Sequence, residues 1–154
     1  MTRRYAAILA FLAVAVLPAM AKPNFSGDWK LNTSKSDFGQ MPAPQKSTMK
    51  IEHKDPALKV ATTYVGDNGE RTFEMNLSTD GKEVTNTFGN FEFKSKAHWE
   101  GSVLLVESRA SSDSGEFKAD EKWTVSDAGK TLTLVRHWVG PQGEVTNTVV
   151  HDKQ

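Results

Sequence analysis

Residues 57–110 read ALKVATTYVGDNGERTFEMNLSTDGKEVTNTFGNFEFKSKAHWEGSVLLVESRA. Asp67-Asn68-Gly69, Asp80-Gly81, Gly89-Asn90 and Glu100-Gly101 divide this stretch into runs that alternate apolar and polar residues. Asn-Gly and Asp-Gly favour hairpin turns, because a type I′ turn needs positive φ at both central residues. The runs between them are rich in Thr, Val, Phe and Trp, which suit a half-buried pleated surface. Taking each turn as a two-residue loop fixes a register. Tyr64 then faces Phe73, Leu77 faces Val84, Phe73 faces Phe88, Phe88 faces Phe91, and Trp99 faces Ser102. Every hairpin places its aromatic and aliphatic residues on one common face. A slip of one residue would destroy that agreement at each step.

The rhythm extends outward in both directions. Further turn signals stand at Asp55-Pro56, Ser112-Asp113-Ser114-Gly115, Asp127-Ala128-Gly129 and Gly140-Pro141-Gln142-Gly143. Ten strands are expected, near 25–32, 46–54, 57–66, 70–78, 82–88, 91–99, 102–110, 115–126, 130–139 and 143–152. No window of a dozen residues keeps a 3.6 period, and 33–45, with two prolines, reads as a loop. So high a strand content is unusual for an ordinary domain. It suits an all-β, up-and-down antiparallel barrel, which closes its own edges.

The chain has 154 residues, 19 Lys plus Arg, 19 Asp plus Glu, and no cysteine. No disulfide scaffold and no thiolate zinc site can form. Residues 1–21 read as a secretory signal peptide. Arg3 and Arg4 supply the positive region, residues 6–17 are an unbroken apolar run, and Ala19-Met20-Ala21 supplies small residues for cleavage. The apolar run is too short to cross a ~30 Å bilayer core. No cysteine follows it, so no bacterial lipoprotein anchor is expected. The mature chain, 22–154, is then a single periplasmic or secreted barrel domain without a transmembrane anchor. Removing Arg3 and Arg4 leaves that domain mildly acidic, which argues against a nucleic-acid partner.

The inward face carries polar residues that a filled core would avoid. Besides Phe73, Phe93, Trp99, Trp123 and Trp138 it includes His53, Tyr64, Arg71, Asn86, Glu121, Arg136 and Asn147. The hairpin at Ala128-Gly129 sets Glu121 opposite Arg136. A four-residue loop over 140–143 sets Arg136 opposite Asn147. Unpaired buried charge is costly. A polar-lined interior with an arginine therefore points to a cavity that binds something, and a guanidinium suits a carboxylate. The bland alternative is a satisfied Glu121–Arg136 pair at the barrel mouth. The candidate ligand-binding residues are Arg136, Asn147, Glu121, Arg71, Tyr64, Phe73, Phe93, Trp99 and Trp138.

No catalytic constellation is visible. There is no G-x-S-x-G elbow. Glu121, set opposite Arg136, reads as an ion-pair partner rather than a general acid. The four histidines have no ligand spacing, with His98 and His137 on the outer face, so no metal or cofactor is expected.

Phe25-Ser26-Gly27-Asp28-Trp29-Lys30-Leu31 resembles the G-x-W opening of the calycins, the lipocalins and fatty-acid-binding proteins. The fuller F-x-G-x-W-K-L form is most similar to the fatty-acid-binding proteins. With the following Asn32 it also resembles exported lipocalin-like proteins of bacteria. The resemblance implies a barrel in which Gly27 allows close backbone approach and Trp29 plugs the closed end. The ligand chemistry of fatty-acid-binding proteins is not carried over, because their two-helix lid has no room in 33–45. Their Arg-x-Tyr on the final strand is replaced by Val145, Asn147 and Val149. The expected function is binding a small amphipathic or hydrophobic molecule, with a carboxylate as one candidate head group. The alternative is a non-enzymatic protein-interaction or inhibitor module of the cell envelope, using loops and an outer patch of Val103, Leu105 and Val135.

Overall fold

Period-two alternation dominates the chain, and strands dominate the fold. The computed structural model describes residues 21–154; all of the expected leader except Ala21 lies outside them. The strands are β1 (Gly27–Leu31), β2 (Lys46–Lys54), β3 (Ala57–Gly66), β4 (Gly69–Ser78), β5 (Val84–Phe88), β6 (Phe91–Glu100), β7 (Val103–Ser112), β8 (Gly115–Ser126), β9 (Thr131–Gly140) and β10 (Gly143–Lys153). They form one antiparallel sheet in the order β4-β3-β2-β1-β10-β9-β8-β7-β6-β5. Pairing of β1 with β10, Trp29 opposite Lys153, rolls this sheet into a nearly closed ten-stranded barrel.

The register agrees with expectation at Phe88–Phe91, Glu121–Arg136 and Arg136–Asn147. At two hairpins the pairing shifts by two residues. Tyr64 pairs with Arg71 and Thr62 with Phe73, because the loop is Asp67-Asn68 and Gly69, at φ +93°, opens the next strand. Trp99 likewise pairs with Leu104 rather than Ser102. A shift of two preserves the inward face, so the side-chain pattern survives. The loop at 140–143 is shorter than expected, since Gly140 pairs with Gly143.

The larger departure is at Asp80-Gly81. The expected β4–β5 hairpin does not form a ladder. Thr79 N–H donates to Pro56 O, Gly81 N–H donates to Ala97 O, and Asp80 bridges to His98. These bonds pull the connection towards β3 and β6 and leave a seam between β4 and β5. Asn86 spans the seam: its Oδ1 accepts from Asn76 N at 2.7 Å and its Nδ2 donates to Asn76 O at 2.9 Å. The amide side chain thereby substitutes for one residue of backbone ladder.

One end of the barrel is solid. Phe25, Trp29, Ile51, Leu58, Leu104, Trp123, Leu132 and Leu134 are completely or almost completely buried there. Trp29 donates its indole N–H to Phe25 O at 2.9 Å. Gly27, at φ +139°, lies against the Lys153 side chain rather than against backbone, and the Lys153 ammonium sits 5.3 Å from the Trp29 ring centre. The 33–45 segment carries one short 3-10 turn, Thr33–Lys35, and no helical lid. It is strapped to β10 by Asn32 N–H to Val150 O and by the Asp37–Thr148 bridge.

Candidate functional site

The other end of the barrel is hollow. A half-enclosed cavity of about 610 Å³ lies between β2–β4 and β5–β9. That volume falls within the range of small-molecule sites. The alternation that fills the closed end with aliphatic and indole groups brings a different set inward here. Arg136, Glu121, Arg71, Tyr64, Phe73, Phe93 and Trp138 all line the cavity. Its wall is mostly apolar, and Phe73 and Trp138 are partly exposed at the open side.

Trp99 and Asn147 face inward but lie outside the lining. Trp99 sits at the closed end, stacked on Phe25 at 5.6 Å between ring centres. Asn147 is covered by the strap, where its Nδ2 contacts Met41 Sδ at 3.7 Å. Gly27 and Trp29 belong to the closed end and are likewise outside the lining. Phe88, Phe117 and Lys118 line the cavity without having been candidates. Continuing the alternation back from Glu121 through Ala119 would have found Phe117.

The polar centre of the cavity is the β8–β9 pair. Arg136 Nε lies 3.5 Å from Glu121 Oε1, with the side chains only 17% and 11% exposed. The Trp123 indole N–H donates to Glu121 Oε2 at 2.7 Å. One carboxylate oxygen is thus fixed by the indole and the other faces the guanidinium. Burial would lower the Arg136 pKa, but Glu121 and the Tyr64 hydroxyl outweigh it and raise the value above the ordinary one. Arg136 Nε is buried yet makes no hydrogen bond of good geometry. Nearby His151 is almost fully buried. Desolvation first, and the field of Arg136 second, push its pKa down to about 4.

An aromatic run crosses the seam beside the cavity. Tyr64–Phe73, Phe73–Phe88 and Phe88–Phe93 meet edge-on at 5.9, 5.7 and 5.4 Å. Such edge contacts are favourable beyond the area they bury. They close the seam where it lacks a backbone ladder. On the outer wall, Leu105 and Val135 sit in a smaller groove of about 240 Å³ with His98 and His137. No group of three or more acidic, Cys or His side chains among the described residues is placed to hold a metal. No helix among them is long and apolar enough to cross a membrane.

No family model matches the chain, and no curated protein matches it. Solved structures do. Secretory abundant heat soluble protein 4 from Ramazzottius varieornatus superposes with a TM-score of 0.61 at 16% identity, covering 88% of this chain and 97% of that one. Zebrafish ileal bile acid-binding protein, complexed with cholic acid, gives a TM-score of 0.56 at 17% identity over 84% and 98% of the two chains. Human cRBP IV gives 0.59 at 14% identity over 86% and 99%. At these identities the likeness concerns the fold alone: this chain shares the nearly closed, ten-stranded antiparallel barrel of these proteins.

Proposed function

We propose that this is an exported, non-enzymatic binding protein that holds one small hydrophobic or amphipathic molecule inside its barrel. The observation that carries this reading is the 610 Å³ cavity, apolar along its wall and polar at Arg136, Glu121 and Tyr64. A filled interior would favour a role confined to the outer surface; the outer groove is less than half as large. Similar barrels include one complexed with cholic acid, which supports an internal ligand. In this reading the apolar part of the ligand lies against Phe73, Phe93 and Trp138, and its polar end meets Arg136.

Export rests on the Arg3-Arg4, apolar run and Ala19-Met20-Ala21 pattern. It predicts a mature protein beginning at Lys22 outside the cytoplasm. Finding the intact Met1 form in the cytoplasm would remove that part of the proposal. The binding part is tested by titrating tryptophan fluorescence with single-chain alcohols, carboxylic acids and sterols. Trp123 and Trp138 line the cavity and report on its contents. We expect saturable one-to-one binding of at least one class, weakened about tenfold or more by Arg136→Ala. No response to any class, with the protein folded, would refute it.

A further inference from the structure

We propose that the preferred ligand is uncharged, an amphiphile ending in a hydroxyl or carbonyl group, and that Glu121 sets this preference. The proposal rests on the binding function above and narrows the ligand class of the same cavity.

Charge balance around Arg136 decides which head group the cavity accepts. Arg136 invites a carboxylate only if its own charge is unanswered. Here Glu121 Oε1 stands 3.5 Å from Arg136 Nε, and the Trp123 indole holds Glu121 in that position. Among the described residues, no other cation supports Arg136 from within. His151 is close by but neutral at pH 7, because burial and Arg136 itself oppose its protonation. Arg71 lies at the exposed edge of the cavity, and Lys118 pairs with Asp120 at 3.0 Å. A carboxylate docking at Arg136 would lose its water, meet a pair of nearly zero net charge, and sit beside a second carboxylate. Desolvation would then outweigh the attraction.

A hydroxyl or carbonyl group faces no such conflict. The guanidinium donates to its oxygen, and a hydroxyl proton donates to Glu121 or to the Tyr64 oxygen. The Glu121–Arg136 pair stays intact, and nothing charged is brought out of water.

The test compares two probes of equal chain length, dodecanol and dodecanoate, near pH 7 with wild type, Glu121→Gln and Arg71→Ala. Tryptophan fluorescence and calorimetry are the readouts. Gln keeps an oxygen for the Trp123 N–H and removes only the charge. Wild type is expected to bind the alcohol about tenfold or more tightly than the acid. Glu121→Gln is expected to strengthen acid binding by about tenfold or more, and Arg71→Ala to keep the preference for the alcohol over the acid. Wild type binding the acid as well as the alcohol would overturn the proposal, and this comparison stands even if Glu121→Gln fails to fold. So would a folded Glu121→Gln with an unaltered preference. Acid binding that disappears in Arg71→Ala would place an anion at the cavity's edge and also overturn it. If neither probe nor any other amphiphile binds any variant, the binding function itself fails.

Discussion

Phe25 precedes the first strand, yet it is fully buried at the closed end. Its ring stacks on Trp99 at 5.6 Å, meets Trp123 edge-on at 5.9 Å and touches His53 at 5.7 Å. Its backbone N–H donates to His53 Nδ1 at 3.2 Å, and its carbonyl accepts from Trp29. Phe25→Ala keeps those main-chain groups and removes only the ring. Truncating a buried Phe costs about 3–5 kcal/mol. Two indole contacts, each adding about 0.5–1.5 kcal/mol beyond area, put this site in the upper half of that range. For a barrel of this size the melting temperature should fall on the order of 10–20 °C. Phe25→Leu, which retains most of the volume, should lose about 1–2 kcal/mol. Urea unfolding followed by far-ultraviolet circular dichroism measures both without depending on the indoles that line Phe25. A loss below about 1 kcal/mol for Phe25→Ala would refute the claim that the segment before β1 plugs the barrel.

His151 gives a pH prediction. It is neutral in the folded state, with a pKa near 4, and the unfolded chain titrates near 6.5. The unfolded chain therefore binds more protons between these values, and stability drops as pH falls from about 6.5 to about 4, by on the order of 3 kcal/mol. His53, also lowered chiefly by burial, adds to the same slope. Asp80, held near 2, acts only at lower pH. His151→Gln should remove most of this slope in urea titrations at stepped pH; an unchanged slope would assign the effect elsewhere. Asn86→Ala should cost about 2–4 kcal/mol, since it strands the Asn76 N–H and C=O that Asn86 now satisfies. It should also speed hydrogen exchange at the Asn76 amide, and a protected Asn76 amide would show that the seam closes by other means.

The strands and their inward faces were legible because a period of two survives any register shift of two. The positions of the turns were less so. A glycine marks where positive φ falls, and Gly69 uses it just after the loop rather than inside it. The seam was invisible in sequence, because Asp80-Gly81 carries a hairpin signal that the bonds to Pro56 and Ala97 override. Alternation also reveals a side chain's face but not its height along the barrel. Trp99 shares parity with Phe93, yet it lies six residues further along β6, about 20 Å at the usual strand rise, and so joins the plug. Arg136 and Glu121 were legible because a short loop fixed their register directly.

A ligand held in the hollow half of the barrel must lose its site when that space is filled from within. Ala119 is buried on β8 and lines the cavity opposite Ser108 and Trp138. Ala119→Phe puts a ring into that space. Calorimetric titration of dodecanol into wild type and Ala119→Phe, each checked for folding by its melting transition, is the decisive measurement. One-to-one binding by wild type and at least about tenfold weaker binding by a folded Ala119→Phe is the expected result. Equal binding by the two proteins would place the ligand outside the barrel and contradict the account.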